Sequence, residues 1–487
     1  MSPVPTGWAS DRLKDVAAIN AVALSAGTDP DYEFDYLDIS NVEYHGIVDP
    51  NAIERLRFED APSRARRRVA AGSTVISSVR PNLQAVAFFP DAPAHFVCST
   101  GFNVVEPQPS RLSPQFAYYH LISENARQYF EAAATGVGYP AVGDKAFNAI
   151  AVPLPPLPEQ QRIAAYLDAS CVAIDAAVAA KRRQIETLDS LRKSIVHRAV
   201  TNGLNPAAPR RASGVAWFDE IPRHWCCEHL KRFTKRIQAG MTPPTNTPEY
   251  YFDGTIPWFA PGSFNGDIDL REPRKLINEL ARSEGELRIF PTETVFLVGI
   301  GATIGKVGLV SAEASCNQQL IGIVCGHRMH SRFLAYQFKI YEDVIPGIAT
   351  ATTLPIFDQV KTGYLPTLRP PLEEQKSICV FLDTKLAESQ QIIAGIETQI
   401  ATLTAYRKSL IHECVTGQWR VTEADVLRSQ LSANTGQLDL EPSEKIGRFK
   451  TAGRNDRTCS GNFGKAPKGG GQFIPPLAFK FATEGGG

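Results

Sequence analysis

The stretch LPPLPEQQRIAAYLD, residues 154–168, is echoed by RPPLEEQKSICVFLD at residues 369–383. At an offset of 215, residues 155–201 align without a gap with residues 370–416, and 19 of these 47 positions are identical. A fainter match precedes each copy, between GWASDRLKDVA (7–17) and HWCCEHLKRFT (224–234) at an offset of 217. A long unit that occurs twice predicts two tandem halves related by pseudo-two-fold symmetry, not a solenoid.

Each repeated unit has the end signals of one long helix. Pro155–Pro156 and Pro370–Pro371 cannot lie inside a helix, so a helix is predicted to begin just after each pair. Glycine residues at 203 and 417 allow the chain to leave the helix. The roughly 44 residues between these signals correspond to a rod of about 66 Å.

Apolar residues recur every three or four positions along both helices, which is typical of a coiled-coil seam. The seam residues are Ile163, Leu167, Ile174, Val178, Ile185, Leu188 and Ile195, and Ile378, Leu382, Ile393, Ile396, Ile400, Leu403 and Leu410. The simplest way to bury both seams is to pack the two helices on each other, and an antiparallel pair places the globular segments at opposite ends. The alternative is two unrelated core helices, one in each domain.

The segments before the helices, 1–150 and about 221–365, mix short apolar runs with turn residues. Strands are predicted at 73–79, 85–89, 294–300 and 306–310, and helices at 114–130 and 331–344. The internal sequences of these segments differ far more than the two long helices do. This contrast indicates a shared framework that carries two separately tailored surfaces.

Composition favours an ordinary soluble protein of two to four domains. Its 487 residues include 51 Lys+Arg and 51 Asp+Glu, so the formal net charge is zero. The nine cysteines show no CxxC spacing, and a reduced, cytosolic compartment is the simplest interpretation. No signal peptide and no run of about 18 apolar residues is present, so no membrane helix is expected.

Four stretches invite comparison with catalytic motifs, and none of them matches. GIGATIGKV (299–307) lacks the spacing and the hydroxyl residue of a Walker loop, and a tight turn between two strands is the better interpretation. HECVT (412–416) lacks the second histidine of a zinc-protease helix. Neither TPPTN (242–246) nor RPPLE (369–373) has the acidic or amide group and the aromatic residue of an adenine-methyltransferase motif.

Basic and polar groups that could contact nucleic acid gather at a few places. A guanidinium can hold a phosphate or pair with guanine, and a turn rich in backbone N–H groups can contact a phosphate. A solvated charged face is the alternative for each cluster. The candidates are Arg64, Arg66, Arg67, Arg68, Arg80, Lys231, Arg232, Lys235, Arg236, Thr303 and Lys306.

The two PPL-x-EQ units and their helices, which end in LRKSIVHRAVTNGL and YRKSLIHECVTGQW, resemble the specificity subunits of type I restriction-modification systems. The connector ASGVAWFDEIPRHW (212–225) and the segment GMTPPTNTPEYYFDGTIPWF (240–259) are also similar to that family. The resemblance extends over about residues 7–420. Residues 421–487 depart from the family pattern.

The resemblance implies an α+β fold with pseudo-two-fold symmetry, in which an antiparallel coiled coil of two long helices joins two globular target-recognition domains. Each domain would recognise half of a bipartite sequence in double-stranded DNA. Methyltransferase subunits and translocase-nuclease (restriction) subunits would dock on the framework. S-adenosylmethionine, ATP and magnesium would belong to those partners, so this chain would hold no cofactor and no metal and would perform no catalysis.

The resulting division has six segments: a first target-recognition domain (1–153), a first long helix (154–204), a connector (205–220), a second target-recognition domain (221–366), a second long helix (367–420) and a disordered C-terminal extension (421–487). Two other functions stay open at this point. The chain could be a coiled-coil scaffold that binds only proteins, or a single-chain DNA-modifying enzyme that carries its own recognition domain.

Overall fold

A computed structural model describes residues 5–43, 46–47, 52–91, 95–136, 138–215, 217–349 and 355–435. Helices and strands are numbered in chain order. The first half contains β1 Ala9–Arg12, α1 Leu13–Val16, β2 Ala17–Ile19, β3 Glu33–Leu37, β4 Val42–Glu43, β5 Gly46–Ile47, β6 Glu54–Arg57, β7 Ala65–Arg68, β8 Ser73–Ser77, β9 Val86–Phe89, β10 Phe96–Ser99, β11 Phe102–Pro107, α2 Pro114–Leu121, α3 Glu124–Ala133, α4 Asp144–Asn148, β12 Ala151–Leu154 and the long helix α5 Leu157–Asn202.

The second half begins with the hairpin β13 Arg210–Val215 and β14 Phe218–Pro222. It continues with β15 Cys226–His229, β16 Thr234–Ala239, β17 Ile256–Phe259, β18 Lys275–Ile277, α6 Glu279–Ser283, β19 Ile289–Phe290, β20 Val295–Val298, β21 Val307–Leu309, β22 Ala314–Cys316, β23 Leu320–Cys325, α7 Ser331–Tyr341, α8 Ile345–Ile348, α9 Gln359–Gly363, β24 Pro366–Arg369, the long helix α10 Leu372–Thr416 and α11 Glu423–Thr435.

The two globular domains have the same sheet topology. The order β2-β11-β8-β9 in the first domain corresponds to β16-β23-β20-β21 in the second, and β6-β3-β10-β7 corresponds to β18-β17-β22-β19. The central pair of the latter sheets is parallel in both domains, β3 with β10 and β17 with β22. A short antiparallel pair, β1–β12 or β15–β24, leads into each long helix. The predicted pseudo-two-fold relation therefore extends to the domains, whose sequences show it only faintly.

The long helices α5 and α10, of 46 and 45 residues, pack against each other in antiparallel register. Asp175 pairs with Arg407 at 3.2 Å, Lys181 with Gln399 at 2.5 Å, and Arg192 with Gln390 at 3.1 Å. As the residue number rises along α5 it falls along α10, which is the signature of an antiparallel pair. We call this pair the rod; each of its helices is about 68 Å long.

Each end of the rod shares a hydrophobic core with one domain. Ile163, Leu167 and Ile174 of α5 join Leu403, Leu410 and Val415 of α10 in the core of the first domain. Val196 and Val200 of α5 join Ile378 and Leu382 of α10 in the core of the second domain. Between these ends α5 and α10 are the two described helices that meet, and seam residues such as Ile185 and Leu188 are half-buried. Neither helix is absorbed into a single domain, and the alternative of two unrelated core helices is wrong.

The glutamine of each PPL-x-EQ unit ties the start of a long helix to its domain. Gln160 Oε1 accepts a hydrogen bond from Ser113 N at 2.8 Å, while Nε2 donates to the carbonyl oxygens of Arg111 and Pro155 at 2.9 and 2.8 Å. Gln375 makes the equivalent three bonds with His330 N, Arg328 O and Pro370 O. Both glutamines are buried, at 1% and 0% exposure. The motif therefore serves as a polar latch, which explains why it occurs in both halves.

A tyrosine–aspartate pair accompanies each latch. The Tyr119 hydroxyl donates to Asp168 Oδ1 at 2.7 Å, and the Tyr336 hydroxyl donates to Asp383 Oδ1. Burial is the main cause that raises the pKa of both phenols, which therefore remain protonated donors. These contacts fix α2 and α7 in equivalent positions on the rod.

The fold differs from the sequence-based predictions at two places. The helix predicted over residues 114–130 is broken into α2 and α3, because Ser123 caps α3 by accepting from Ala126 N while its hydroxyl donates to His120 O. Residues 421–487 were predicted to form a disordered extension. Residues 423–435 instead form α11, which packs on α5, and Val421 is buried in the core of the first domain. The remainder, 436–487, lies outside the described residues.

A buried histidine in the first domain makes stability depend on pH. Burial lowers the pKa of His120 to about 4, from an ordinary 6.5, so the folded protein keeps this ring neutral where the unfolded chain protonates it. The stabilisation is present above pH 6.5 and is lost as the pH falls towards 4, by at most about 3 kcal/mol. Gln337 occupies the equivalent buried position in the second domain. We expect His120→Gln to flatten the pH dependence of unfolding, measured by denaturant titration at several pH values; an unchanged slope would contradict this assignment.

Candidate nucleic-acid interface

In the first domain, the β8–β9 loop (residues 78–85) lies beside the β10–β11 turn (residues 99–101). Ser78 N donates to Gly101 O at 2.9 Å, and Thr100 N donates to Arg64 O at 2.8 Å. Arg80 and Arg64 therefore flank the same turn. The Arg80 guanidinium stacks on the Tyr139 ring at 4.6 Å, and Tyr139 is 72% exposed. We call Arg64, Tyr139 and these two segments the first loop cluster.

In the second domain, the equivalent β20–β21 turn (residues 299–306) lies beside the β22–β23 turn (residues 317–319). Gly299 N donates to Gln319 O at 2.8 Å. Gly305 has a positive φ of 93°, and a Cβ there would lie 3.1 Å from the backbone oxygen of Glu342, so glycine suits this position. Exposed Gln318 accepts a hydrogen bond from the Thr242 hydroxyl. We call the two turns and Thr242 the second loop cluster.

The two loop clusters occupy the same topological position although their sequences are unrelated. The first cluster contributes Arg64 and Arg80 and the second contributes Lys306, and both also have groups that can recognise base edges or stack on bases. Arginine binds phosphate or guanine, glutamine pairs with adenine, and an exposed tyrosine offers a stacking face. The predicted residues Arg64, Arg80, Thr303 and Lys306 all lie in these clusters.

Two further members of the predicted arginine run, Arg66 and Arg67, are half-buried and make contacts within the domain. Arg66 lies 4.5 Å above the Phe58 ring, and Arg67 donates to Asn103 Oδ1 at 3.0 Å and to the carbonyl oxygen of Phe102. Because β7 places successive side chains on opposite faces of the sheet, the run does not form one continuous basic surface. Arg68 is exposed at the end of β7. Their contact with DNA stays a prediction.

The basic group around β16 is likewise divided. Arg236 donates to Ile289 O at 2.7 Å and lies over the Phe290 ring. Lys231 lies 3.6 Å from the centre of the Tyr364 ring, and Arg232 pairs with Glu228 at 3.3 Å. Lys235 is exposed. Lys231, Arg232 and Lys235 lie at or before the start of β16, Arg236 lies in its middle, and the second loop cluster lies near its other end; the six residues of the strand span about 18 Å.

Tyr139, Gln318 and Thr242 are the candidate contacts that the sequence did not indicate. Each stands in an irregular segment where no periodicity marks it. Only the packing of distant segments shows that Tyr139 lies on Arg80, and that Thr242 contacts Gln318. The β8–β9 loop and the β20–β21 turn lie at equivalent positions in the two halves, and this equivalence indicates the candidate interface better than the charge of the side chains does.

The remaining chemical features of the described residues concern metal-ligand groups and reactive or paired cysteines. No group of three or more His, Cys, Asp or Glu residues in the described ranges is placed to hold a metal ion. The eight described cysteines are free thiols, and burial raises the pKa of Cys98 and Cys379 to about 12.

One described helix, α5, is apolar and long enough to cross a membrane by length and composition alone, although no such helix was expected from the sequence. In the most apolar 18-residue window, 39% of the residues are buried. This apolar character is accounted for by the rod, since α5 supplies buried side chains to the cores of both domains.

The sequence and the fold both match known proteins. Residues 5–187 and 233–402 match the type I restriction modification DNA specificity domain. The chain belongs to this family. Each of the two matched segments includes one globular domain and most of one rod helix, so the family unit coincides with the internal repeat.

Curated relatives and a solved structure agree with this membership. The type I restriction enzyme StySPI specificity subunit of Salmonella potsdam is 20% identical over 462 residues, which cover 88% of this chain and 94% of the relative. The MjaIX specificity subunit of Methanocaldococcus jannaschii is 29% identical over 167 residues, 34% of this chain and 38% of the relative. A chain from a structural study of complex assembly and conformational transition in a type I R-M system has the same fold. Its TM-score is 0.70 at 22% identity, over 86% of this chain and 100% of that chain.

Proposed function

We propose that this chain is the DNA sequence-specificity subunit of a type I restriction-modification complex, in which each domain recognises one half of a bipartite DNA target. One observation carries the proposal. Two segments of the DNA specificity family form domains of identical topology at opposite ends of one antiparallel rod. Such an arrangement presents two different loop clusters at a fixed separation.

The dimensions of the rod suit a duplex. The first domain packs around Ile163–Ile174 of α5 and the second around Val196–Val200. Their centres are about 30 residues apart, which corresponds to about 44 Å of helix. One turn of B-DNA is about 34 Å, so the two half-sites would lie slightly more than one turn apart, with an unread spacer between them.

Selection from random duplex DNA tests the function. The purified chain with its partner subunits is expected to enrich two short specified sequences separated by a spacer of constant length. Enrichment of no sequence would favour the protein-only scaffold. Methyl transfer by the chain alone would favour the single-chain enzyme.

The same proposal assigns the chemistry to partner subunits. Methyltransferase subunits and restriction subunits would dock on this chain in the cytoplasm and would bind S-adenosylmethionine, ATP and magnesium. This chain would supply sequence recognition and a rigid framework. Reconstitution tests the assignment: methyl transfer is expected only when the methyltransferase subunits are added.

Charge removal in the loop clusters tests how the DNA is contacted. We expect Arg80→Ala to weaken recognition of one half-site and Lys306→Ala that of the other, by about 1–3 kcal/mol where a base contact is lost. A lost phosphate contact would instead reduce the salt slope of binding by about one. Binding isotherms at several salt concentrations give both quantities. Arg236→Gln is the control, because its guanidinium is engaged within the domain, and an effect as large as that of Lys306→Ala would contradict the placement of the interface.

A further inference from the structure

Arg332 on α7 joins three elements of the second half. Its Nη1 and Nη2 lie 2.7 and 3.3 Å from the two carboxylate oxygens of Asp269, and its Nε lies 2.8 Å from Asp383 Oδ1 on the rod. The Arg332 side chain is only 26% exposed, so water screens these ion pairs less than it screens surface pairs. Asp383 is also the carboxylate that accepts from Tyr336.

The Asp269 side of this bridge leads directly to the second loop cluster. Leu309 N donates to Ile268 O at 2.7 Å, and Leu270 N donates to Leu309 O at 2.9 Å. The segment around Asp269 is thus bonded to β21, the strand that follows the turn at residues 299–306. A continuous polar path therefore runs from the rod through Arg332 to the loops proposed to contact DNA.

The Gln375 latch and the Tyr336–Asp383 hydrogen bond hold α7 itself to the rod, whereas the segment around Asp269 reaches the rod through Arg332. A cleft of about 1110 Å³ separates the domain from the C-terminal half of α5, and its walls include Lys193, His197, Asp267 and Asp343. Lys193 and Asp343 approach each other at 3.8 Å across it, but both side chains are about 80% exposed. An exposed pair of this kind contributes little.

Among the described residues of the first domain, no arginine takes the place of Arg332. Tyr119 and Tyr336 make equivalent hydrogen bonds to Asp168 and Asp383, so the residue that corresponds to Arg332 in the first domain is Gln115. Gln115 is exposed, and its side chain makes no hydrogen bond to another described residue. The glutamine latch and the tyrosine–aspartate pair are therefore common to both domains, whereas the Arg332 bridge is described in the second domain alone.

We propose that Arg332 is a positioning residue that sets the angle between the second loop cluster and the rod. The effect of Arg332 on DNA binding rests on the proposed function. Its effect on the angle does not depend on that function and can be measured as a distance in the DNA-free chain. Loss of Arg332 would widen the range of angles that the second domain adopts relative to the rod and would leave the first domain unaffected.

Pairs of labels on encoded non-natural residues test the angle in the full-length chain. One pair joins Gln184 on the rod to Leu276 on β18, and the matched pair joins Gln184 to Glu54 on β6. We expect Arg332→Gln, which installs the residue found in the first half, to broaden the 184–276 distance distribution about twofold and to leave the 54–184 distribution unchanged. Arg332→Lys should give an intermediate width, because an ammonium lacks the planar fork that engages both carboxylates.

Arg271→Gln is the control for charge. Arg271 lines the same cleft but is 84% exposed and lies 3.9 Å from Asp269, so its loss should not broaden either distribution. An unbroadened 184–276 distribution in Arg332→Gln, or equal broadening in Arg271→Gln, would overturn the proposal. Circular dichroism establishes whether each variant is folded. If Arg332→Gln does not fold, the 184–276 distribution of Arg332→Lys is the test, and an unbroadened distribution there overturns the proposal.

The DNA measurement uses the selected target with its spacer lengthened by one base pair. The preference for the native spacer is expected to fall about tenfold in Arg332→Gln and to stay constant in Arg271→Gln. If the wild-type chain binds no specific DNA, the proposed function fails while the distance measurement still decides the role of Arg332. If DNA is bound and the distances do not change, only the role of Arg332 fails.

Discussion

Seven residues inserted into both rod helices at matched positions are expected to lengthen the preferred spacer by about three base pairs. The positions are between Ala180 and Lys181 in α5 and between Ile400 and Ala401 in α10, which leaves the Asp175–Arg407 and Lys181–Gln399 pairs on their own sides of the insertion. One heptad preserves the seam and adds about 10 Å, the rise of about three base pairs. Binding to the original target should fall at least about tenfold, because one half-site can no longer be aligned.

The same heptad inserted into α5 alone is the control. It displaces every pair on one side of the insertion relative to α10, so we expect a destabilised rod and no new spacer preference. Selection from random DNA measures the spacer, and denaturant unfolding measures stability. A folded double-insertion variant that kept the original spacer would show that the rod does not set the distance between half-sites.

Replacing the latch glutamine Gln375 by leucine is expected to give the largest loss of stability from a single substitution. Leucine fills a similar volume but leaves His330 N–H and the carbonyl oxygens of Arg328 and Pro370 without their buried partner. Each unsatisfied buried group costs about 1–3 kcal/mol, so we expect a loss of about 3–5 kcal/mol at this end of the rod. Gln160→Leu should have an equal effect at the other end.

Hydrogen exchange locates the effect. Amides of α7 should exchange at least about 100-fold faster in Gln375→Leu, whereas those of α2 should do so in Gln160→Leu. Gln184→Leu, on the exposed middle of the rod, is the matched control and should change stability by less than about 0.5 kcal/mol. Equal exchange in all three variants would show that the PPL-x-EQ glutamine is not a latch.

The rod could be predicted from the sequence because its signals are local and repeated. Paired prolines mark each start, a glycine marks each end, and the apolar period continues between them. The structure confirms these limits at Leu157–Asn202 and Leu372–Thr416. By contrast, the sequence did not predict α11. Its apolar residues Leu427 and Leu431 are exposed, and so short a helix gives too weak an apolar periodicity to indicate a helix.

The candidate interface was only partly predictable, because charge does not reveal the direction of a side chain. Arg67 and Arg236 lie in basic runs yet donate to backbone oxygens within their domains. Arg80 and Tyr139 are 59 residues apart and meet only because a short bridge pairs Val79 with Ala141. Contacts of this kind depend on the tertiary fold, which one sequence does not encode in any local period.

The most direct test of the central claim is the sequence of methylated sites in cells that carry this chain with its partner subunits. The account predicts a bipartite motif in which Arg80→Ala alters one half and Lys306→Ala alters the other, with the spacer unchanged in both. A continuous motif, or two variants that alter the same half, would contradict an antiparallel rod that presents two independent readers to one duplex.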